Sequence, residues 1–236
     1  MNKTTLNLVA ISIFLITVTV LLGPLINVSS AVPAVATFVI LGIATFDSWS
    51  FEGRGGTLFL DLIGGFSKEY RERILHHEAG HFLVAYALDV PVTGYTLSAW
   101  EAFKQKQKGF AGVTFDDVEL FSQFEKGAIT TQTLERYYAI WMAGIAAENL
   151  VYDNASGGVD DKSKLMGVLK SLGCSESLCN QKQRFSVLQA KTLLENNWSA
   201  YEALVDSMRE RATVKECQDI LIEQGMGNKE LVVSNQ

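Results

Sequence analysis

The chain has 236 residues, 48% of them hydrophobic and 19% charged, with a net charge of −6 and three cysteines. That suffices for one globular domain of ordinary size and an apolar appendage. An acidic balance without a basic block gives a nucleic-acid partner no support, and an odd cysteine count rules against a disulfide framework and fits a reducing compartment.

The apolar excess lies at the N-terminus, where Lys3 is the only charge among the first 46 residues. Residues 4–22 carry no charge and are rich in Ile, Leu and Val, long enough as a helix to span a hydrocarbon core of about 30 Å. A second apolar run, residues 31–46, follows a turn bracketed by Pro24 and Pro33. Together they predict a transmembrane helical hairpin, an anchor over residues 1–50. A cleaved signal peptide would need a shorter apolar core and no second run behind it. Lys3 on one flank and Arg54, Lys68, Arg71 and Arg73 on the other place both ends on the cytoplasmic side, or the stroma-like side of an organelle membrane.

Residues 51–66, with five glycines, read as a linker, and residues 67–236 as the folded domain. Ser67 is placed to cap a helix with Glu69 in its first turn, running to about Leu88 before Pro91. That helix carries His76-His77-Glu78-Ala79-Gly80-His81, the chain's only three histidines. Positions i and i+4 share a helix face, so His77 and His81 can aim at one metal ion, and Glu78 beside them is suited to take a proton from a metal-activated water. This is the H-E-x-x-H arrangement of zinc peptidases. His76 lies about 100° around the helix and reads as a packing histidine. With no further histidine, a carboxylate or thiolate must complete the metal site.

Strands are expected over residues 92–97 and 110–115, with an exposed charged segment, residues 101–108, between them. A free strand edge beside the metal could hold an extended peptide. Helices follow at residues 116–126, 133–152, 161–172, 185–198, 199–211 and 213–224, the last two with capping boxes Ser199/Glu202 and Thr213/Glu216. Cys174 and Cys179 fall in a polar loop and could close a reversible disulfide. The fold class is mainly α, an α+β domain with a small sheet.

In this order the motifs resemble the protease domain of the FtsH-type membrane-anchored ATP-dependent zinc metalloproteases. His77-Glu78-Ala79-Gly80-His81 matches that family's helix motif letter for letter. Pro91-Val92, Gly109-Phe110-Ala111-Gly112-Val113-Thr114, Ala143-Gly144-Ile145-Ala146-Ala147-Glu148 and the segment 203–214 follow, covering about residues 68–223. The resemblance implies a third zinc ligand just after the Gly-rich loop Gly157-Gly158, where Asp161 takes the family position and Asp160 is its neighbour. Glu148, a third ligand in another class of zinc peptidase, is implied instead to hold a histidine's free nitrogen.

The family's ATPase module has no counterpart here, for the sequence contains no G-x-x-x-x-G-K-[ST] pattern and so no ATP site of that kind. The expectation is a membrane-anchored, zinc-dependent endopeptidase acting on protein or peptide substrates, as a homo-oligomer or with a partner ATPase. Its alternative is a non-catalytic zinc-binding assembly factor.

Overall fold

The structure, a computed structural model, describes residues 3–26, 29, 31–50, 68–98, 101 and 112–226. The chain divides into two compact units, Met1–Phe66 and Ser67–Gln236. The expected linker, residues 51–66, the capping residue Ser67 and the segment 102–111 lie outside the described residues.

In the first unit, helix α1 (Lys3–Leu22) leads through a 3-10 turn (Gly23–Ile26) to helix α2 (Ala31–Ser50). Helix α2 runs four residues beyond the apolar run that predicts it. Asp47 interrupts the hydropathy, not the backbone ladder. Pro33 sits in the first turn of α2, where its missing N–H has no intrahelical acceptor to serve. Thr17, Thr19, Thr37 and Thr45 each donate a hydroxyl to the carbonyl four residues earlier, so these polar groups are satisfied within their own helices. Large apolar side chains face outward, with Leu21 70% and Phe38 79% exposed. Among the described residues, no helix is long and apolar enough to cross a membrane.

The second unit is mainly helical and is built around helix α3 (Lys68–Ala87), from which Leu75, His77 through Ala85, and Ala87 are buried. From His77 to Ala85 the helix is enclosed on every side, and the enclosed polar groups His77, Glu78 and His81 need partners there. Strands β1 (Val92–Thr96) and β2 (Gly112–Phe115) form a two-stranded antiparallel sheet against it, with a bulge between Val92 and Gly94. Then come α4 (Val118–Glu125), α5 (Thr131–Tyr152), α6 (Val159–Ser171), α7 (Glu176–Asn196), α8 (Trp198–Arg209) and α9 (Val214–Leu221), the last running into a π-turn (Ile222–Met226). Helix α5 packs on both α3 and α7, and α8 packs on α3 as well. The core joins Phe82, Leu83 and Val84 of α3 to Ile140 and Ala143 of α5, Leu194 of α7, Leu204 and Met208 of α8 and Leu221 of α9.

Two local features fix α3 for its chemistry. Its C-terminal carbonyls at Leu88 and Asp89 are capped by the guanidinium of Arg136 from α5, which satisfies groups that the helix end leaves open. Gly80 lets α5 approach closely. A Cβ there would stand 2.7 Å from Ala147 Cβ and 2.8 Å from the Ala143 carbonyl oxygen.

Three expectations are corrected. Helix α7 begins at Glu176, nine residues earlier than the sequence suggests, because Ser175 caps it by accepting from the Leu178 N–H at 3.4 Å. Cys179 therefore lies buried in the first turn of α7 rather than in a loop, and all three cysteines are free thiols. Helix α8 has Asn197 at its N-cap, with no side-chain cap bond, so Ser199 and Glu202 form no capping box. Only one residue separates α7 from α8, which leaves Ser199 inside the helix. At α4 the first helical residue is Val118 rather than Asp116, since the Asp116 carboxylate instead accepts the Val118 N–H. The Thr213/Glu216 capping box forms as expected.

Candidate metal centre

One turn apart on α3, His77 and His81 bring their rings to 4.8 Å between centroids. Asp161, in the first turn of α6, meets them from the opposite side. Its Oδ2 lies 3.2 Å from His77 Nε2 and 3.5 Å from His81 Nε2. Corners of a tetrahedron with bonds of about 2.0–2.1 Å stand about 3.4 Å apart, so Asp161 Oδ2 stands at ligand spacing from each histidine nitrogen. The group His77, His81 and Asp161 could hold a metal ion, its ligand atoms all lying within 4.8 Å of one another.

Proton positions strengthen this assignment. His77 Nδ1 is 2.8 Å from Glu148 Oε1, and His81 Nδ1 is 2.7 Å from the Ile140 carbonyl oxygen. An ionised carboxylate and a carbonyl can only accept, so both histidines carry a proton on Nδ1 and turn Nε2 inward. Two bare nitrogens and a carboxylate oxygen then converge. Lone pairs do not converge in a buried site unless a cation, either a metal ion or an added proton, lies between them.

Without a metal the added proton goes to His77. Burial would lower its pKa, but hydrogen bonds to Asp161 and Glu148 carry it up to about 10. Burial likewise opposes ionisation of Asp161 and Glu148, and the histidine charges and hydrogen bonds overcome it to hold both carboxyls below their usual range. Glu78, 6% exposed, is shifted the other way, chiefly by burial. A raised His77 pKa stabilises the fold fully below its unfolded value near 6.5 and is lost as pH climbs through about 10. The melting temperature of chelator-treated protein is therefore expected to fall between pH 7 and 10. Metal affinity should rise over the same range as the competing proton leaves. Calorimetry across that window, with and without metal, checks both.

The residues expected to contribute separate cleanly. Glu148 stands outside the group His77, His81 and Asp161. It accepts from His77 on one oxygen and from the Ser156 N–H at 2.8 Å on the other, and receives the Gly157 N–H at 3.1 Å as well. Asp160 is exposed, and the N-cap of α6 is Gly158, with no side-chain cap bond. His76 leaves the metal group altogether, its Nδ1 2.9 Å from the Tyr201 hydroxyl, which donates to the His76 carbonyl.

Residues absent from the sequence expectations complete the site. Arg73, one turn before His77, reaches Glu148, the Asn154 side chain and the Ser156 hydroxyl with one guanidinium nitrogen and covers the Tyr152 ring at 4.3 Å. It ties the loop before α6 to α3. Its i,i+4 spacing to His77 was legible in the sequence, whereas the Ile140 carbonyl gave no signal at all. Gly157 and Gly158 are required by close approach: a Cβ on Gly157 would meet Glu148 Oε1 at 2.7 Å, and Gly158 has φ +81° with Ile145 at 2.3 Å from its would-be Cβ.

Gly144 on α5 meets the same demand from the other wall. A Cβ there would fall 2.3 Å from His77 Nε2. Gly144→Ala is expected to push the imidazole out of line and weaken metal binding about 10–100-fold, the equivalent of a modest overpacking cost, with helix content unchanged. Metal titration alongside circular dichroism measures it.

Comparison of the chain with protein-family models finds no match, and neither does comparison with curated protein sequences.

Proposed function

We propose that this chain is a membrane-anchored, zinc-dependent endopeptidase. The observation that carries the reading is Glu78: an acidic side chain buried beside a His-His-Asp group, bound to none of the three and raised in pKa by burial. A structural metal site has no chemical need of it. A catalytic one does.

Zinc suits two imidazoles and one carboxylate, and when bound it supplies Lewis acidity toward water and a substrate carbonyl. The chain's own groups do the rest. Glu78 takes the proton of the attacking water and delivers it to the leaving amine. Glu148 and the Ile140 carbonyl hold the histidine rings with Nε2 inward, and Arg73 holds Glu148. An extended peptide could be held along an edge of the small sheet.

Anchoring rests on the sequence, on the charge-free run 4–22 and the second apolar run 31–46. Their internally bonded threonine hydroxyls and outward apolar side chains fit a lipid environment. The charged flanks of the hairpin favour a cytoplasmic or stroma-like location for the second unit.

The test is digestion of an unfolded model protein by the detergent-purified full chain, without nucleotide, before and after chelation and zinc replacement. Cleavage that disappears and returns with zinc supports the reading. Stoichiometric zinc with no cleavage under any condition sinks it and favours the assembly-factor alternative.

A further inference from the structure

Glu78 is gripped by a group that belongs neither to α3 nor to the metal ligands. Val113 in β2 donates its backbone N–H to Glu78 Oε2 at 3.0 Å. Tyr95 stands opposite Val113 in the antiparallel pair, and Thr96 opposite Gly112. Along an antiparallel strand, successive peptide groups face alternately toward the partner strand and away from it. The Val113 N–H faces away, so its bond to Glu78 takes nothing from the sheet. Oε1 of Glu78 has no hydrogen-bond partner among the described residues, and the whole residue is 6% exposed.

We infer that the backbone N–H of Val113 is the positioning group for Glu78: it holds Oε2, so that Oε1 is the oxygen that exchanges protons with water and leaving group. The inference rests on the peptidase reading above and gives it a specific hinge. A carboxylate turns easily about its last side-chain bond. One charge-assisted hydrogen bond from a rigid strand is enough to fix which oxygen points inward. The sheet then has a duty toward the base, separate from any duty toward the substrate.

That separation can be measured. The full chain, zinc-loaded in detergent, is compared with Val113→Pro and with a variant whose residue 113 is the hydroxy-acid analogue of valine, which turns the amide into an ester. Both lack the N–H. The ester also keeps the side chain, and proline is tolerated where an N–H makes no ladder bond. The readouts are kcat and KM on an unfolded model protein, zinc content, thermal unfolding and affinity for acetohydroxamate. That probe binds a metal, gives its hydroxyl proton to a carboxylate beside it, and is too small to run along the strand.

The expected result is a kcat lower by about 10–100-fold, the usual effect of a hydrogen bond to a charged group. KM should stay within about twofold, zinc content should be unchanged, and acetohydroxamate should bind about tenfold more weakly. A raised KM with kcat and acetohydroxamate affinity intact would overturn the inference and assign the N–H to the substrate. Unchanged values throughout would overturn it too. Should the parent cut nothing, the peptidase reading fails, and acetohydroxamate still decides: weaker binding by the ester variant upholds the positioning contact, and equal binding or none by the parent removes it.

Discussion

Glu78→Gln is expected to keep its zinc and lose peptide cleavage, with kcat down by about 10²–10⁴-fold. Glutamine matches glutamate in size, and its side-chain oxygen can still accept the Val113 N–H that now meets Oε2 at 3.0 Å. The three metal-facing groups are His77, His81 and Asp161, so none of them changes. Only basicity is lost. Zinc content by emission spectroscopy and turnover on an unfolded protein measure the two halves separately. A variant that cuts as fast as the parent would show that Glu78 is not the base, whatever the metal does.

The second large effect concerns the third ligand. Asp161→Asn should lower metal affinity by more than about 100-fold, since losses of that order follow even from changes one shell further out. Asp160→Asn should change it little, because Asp160 is exposed while Asp161 Oδ2 sits 3.2 and 3.5 Å from the two histidine nitrogens. Competition with a metallochromic chelator distinguishes the pair directly. Equal losses in both would mean that the first turn of α6 contributes through its overall charge at the helix N-terminus rather than through one ligand atom.

How much of this was readable in the letters depends on the range of the interaction. The i,i+4 pair His77 and His81 follows from helical geometry alone, and the structure places both as expected. The choice between Asp160 and Asp161 needed a resemblance to a family's loop, because helix periodicity cannot say where a helix 80-odd residues away begins. Glu148 as support for His77 came from the same source. Arg73 could have been found from its spacing. The Ile140 carbonyl could not, since every residue has one, and only the packing of α5 against α3 brings this one to His81.

The fold errors have a common cause as well. Residues 173–180 hold two Ser and two Cys behind Gly173, and such composition reads as loop, yet a serine followed by a glutamate is also how a helix starts. At Ser199 the opposite happened: a capping pattern was present, but α8 had already begun at Trp198. Local signals say what a segment can do. Neighbouring helix ends decide which use is made of it.

Asp161 and His81 lie about 80 residues apart in sequence, and the intervening chain holds both strands, α4 and all of α5. An ion bound between them therefore closes a long loop, as a cross-link would. Loop-closure arithmetic puts the lost freedom of the unfolded chain at roughly 4.5 kcal/mol for a ring of that size. The centre that performs the chemistry would then also be the clasp of the second unit, and chelation would expose this segment to general proteolysis as well as ending activity.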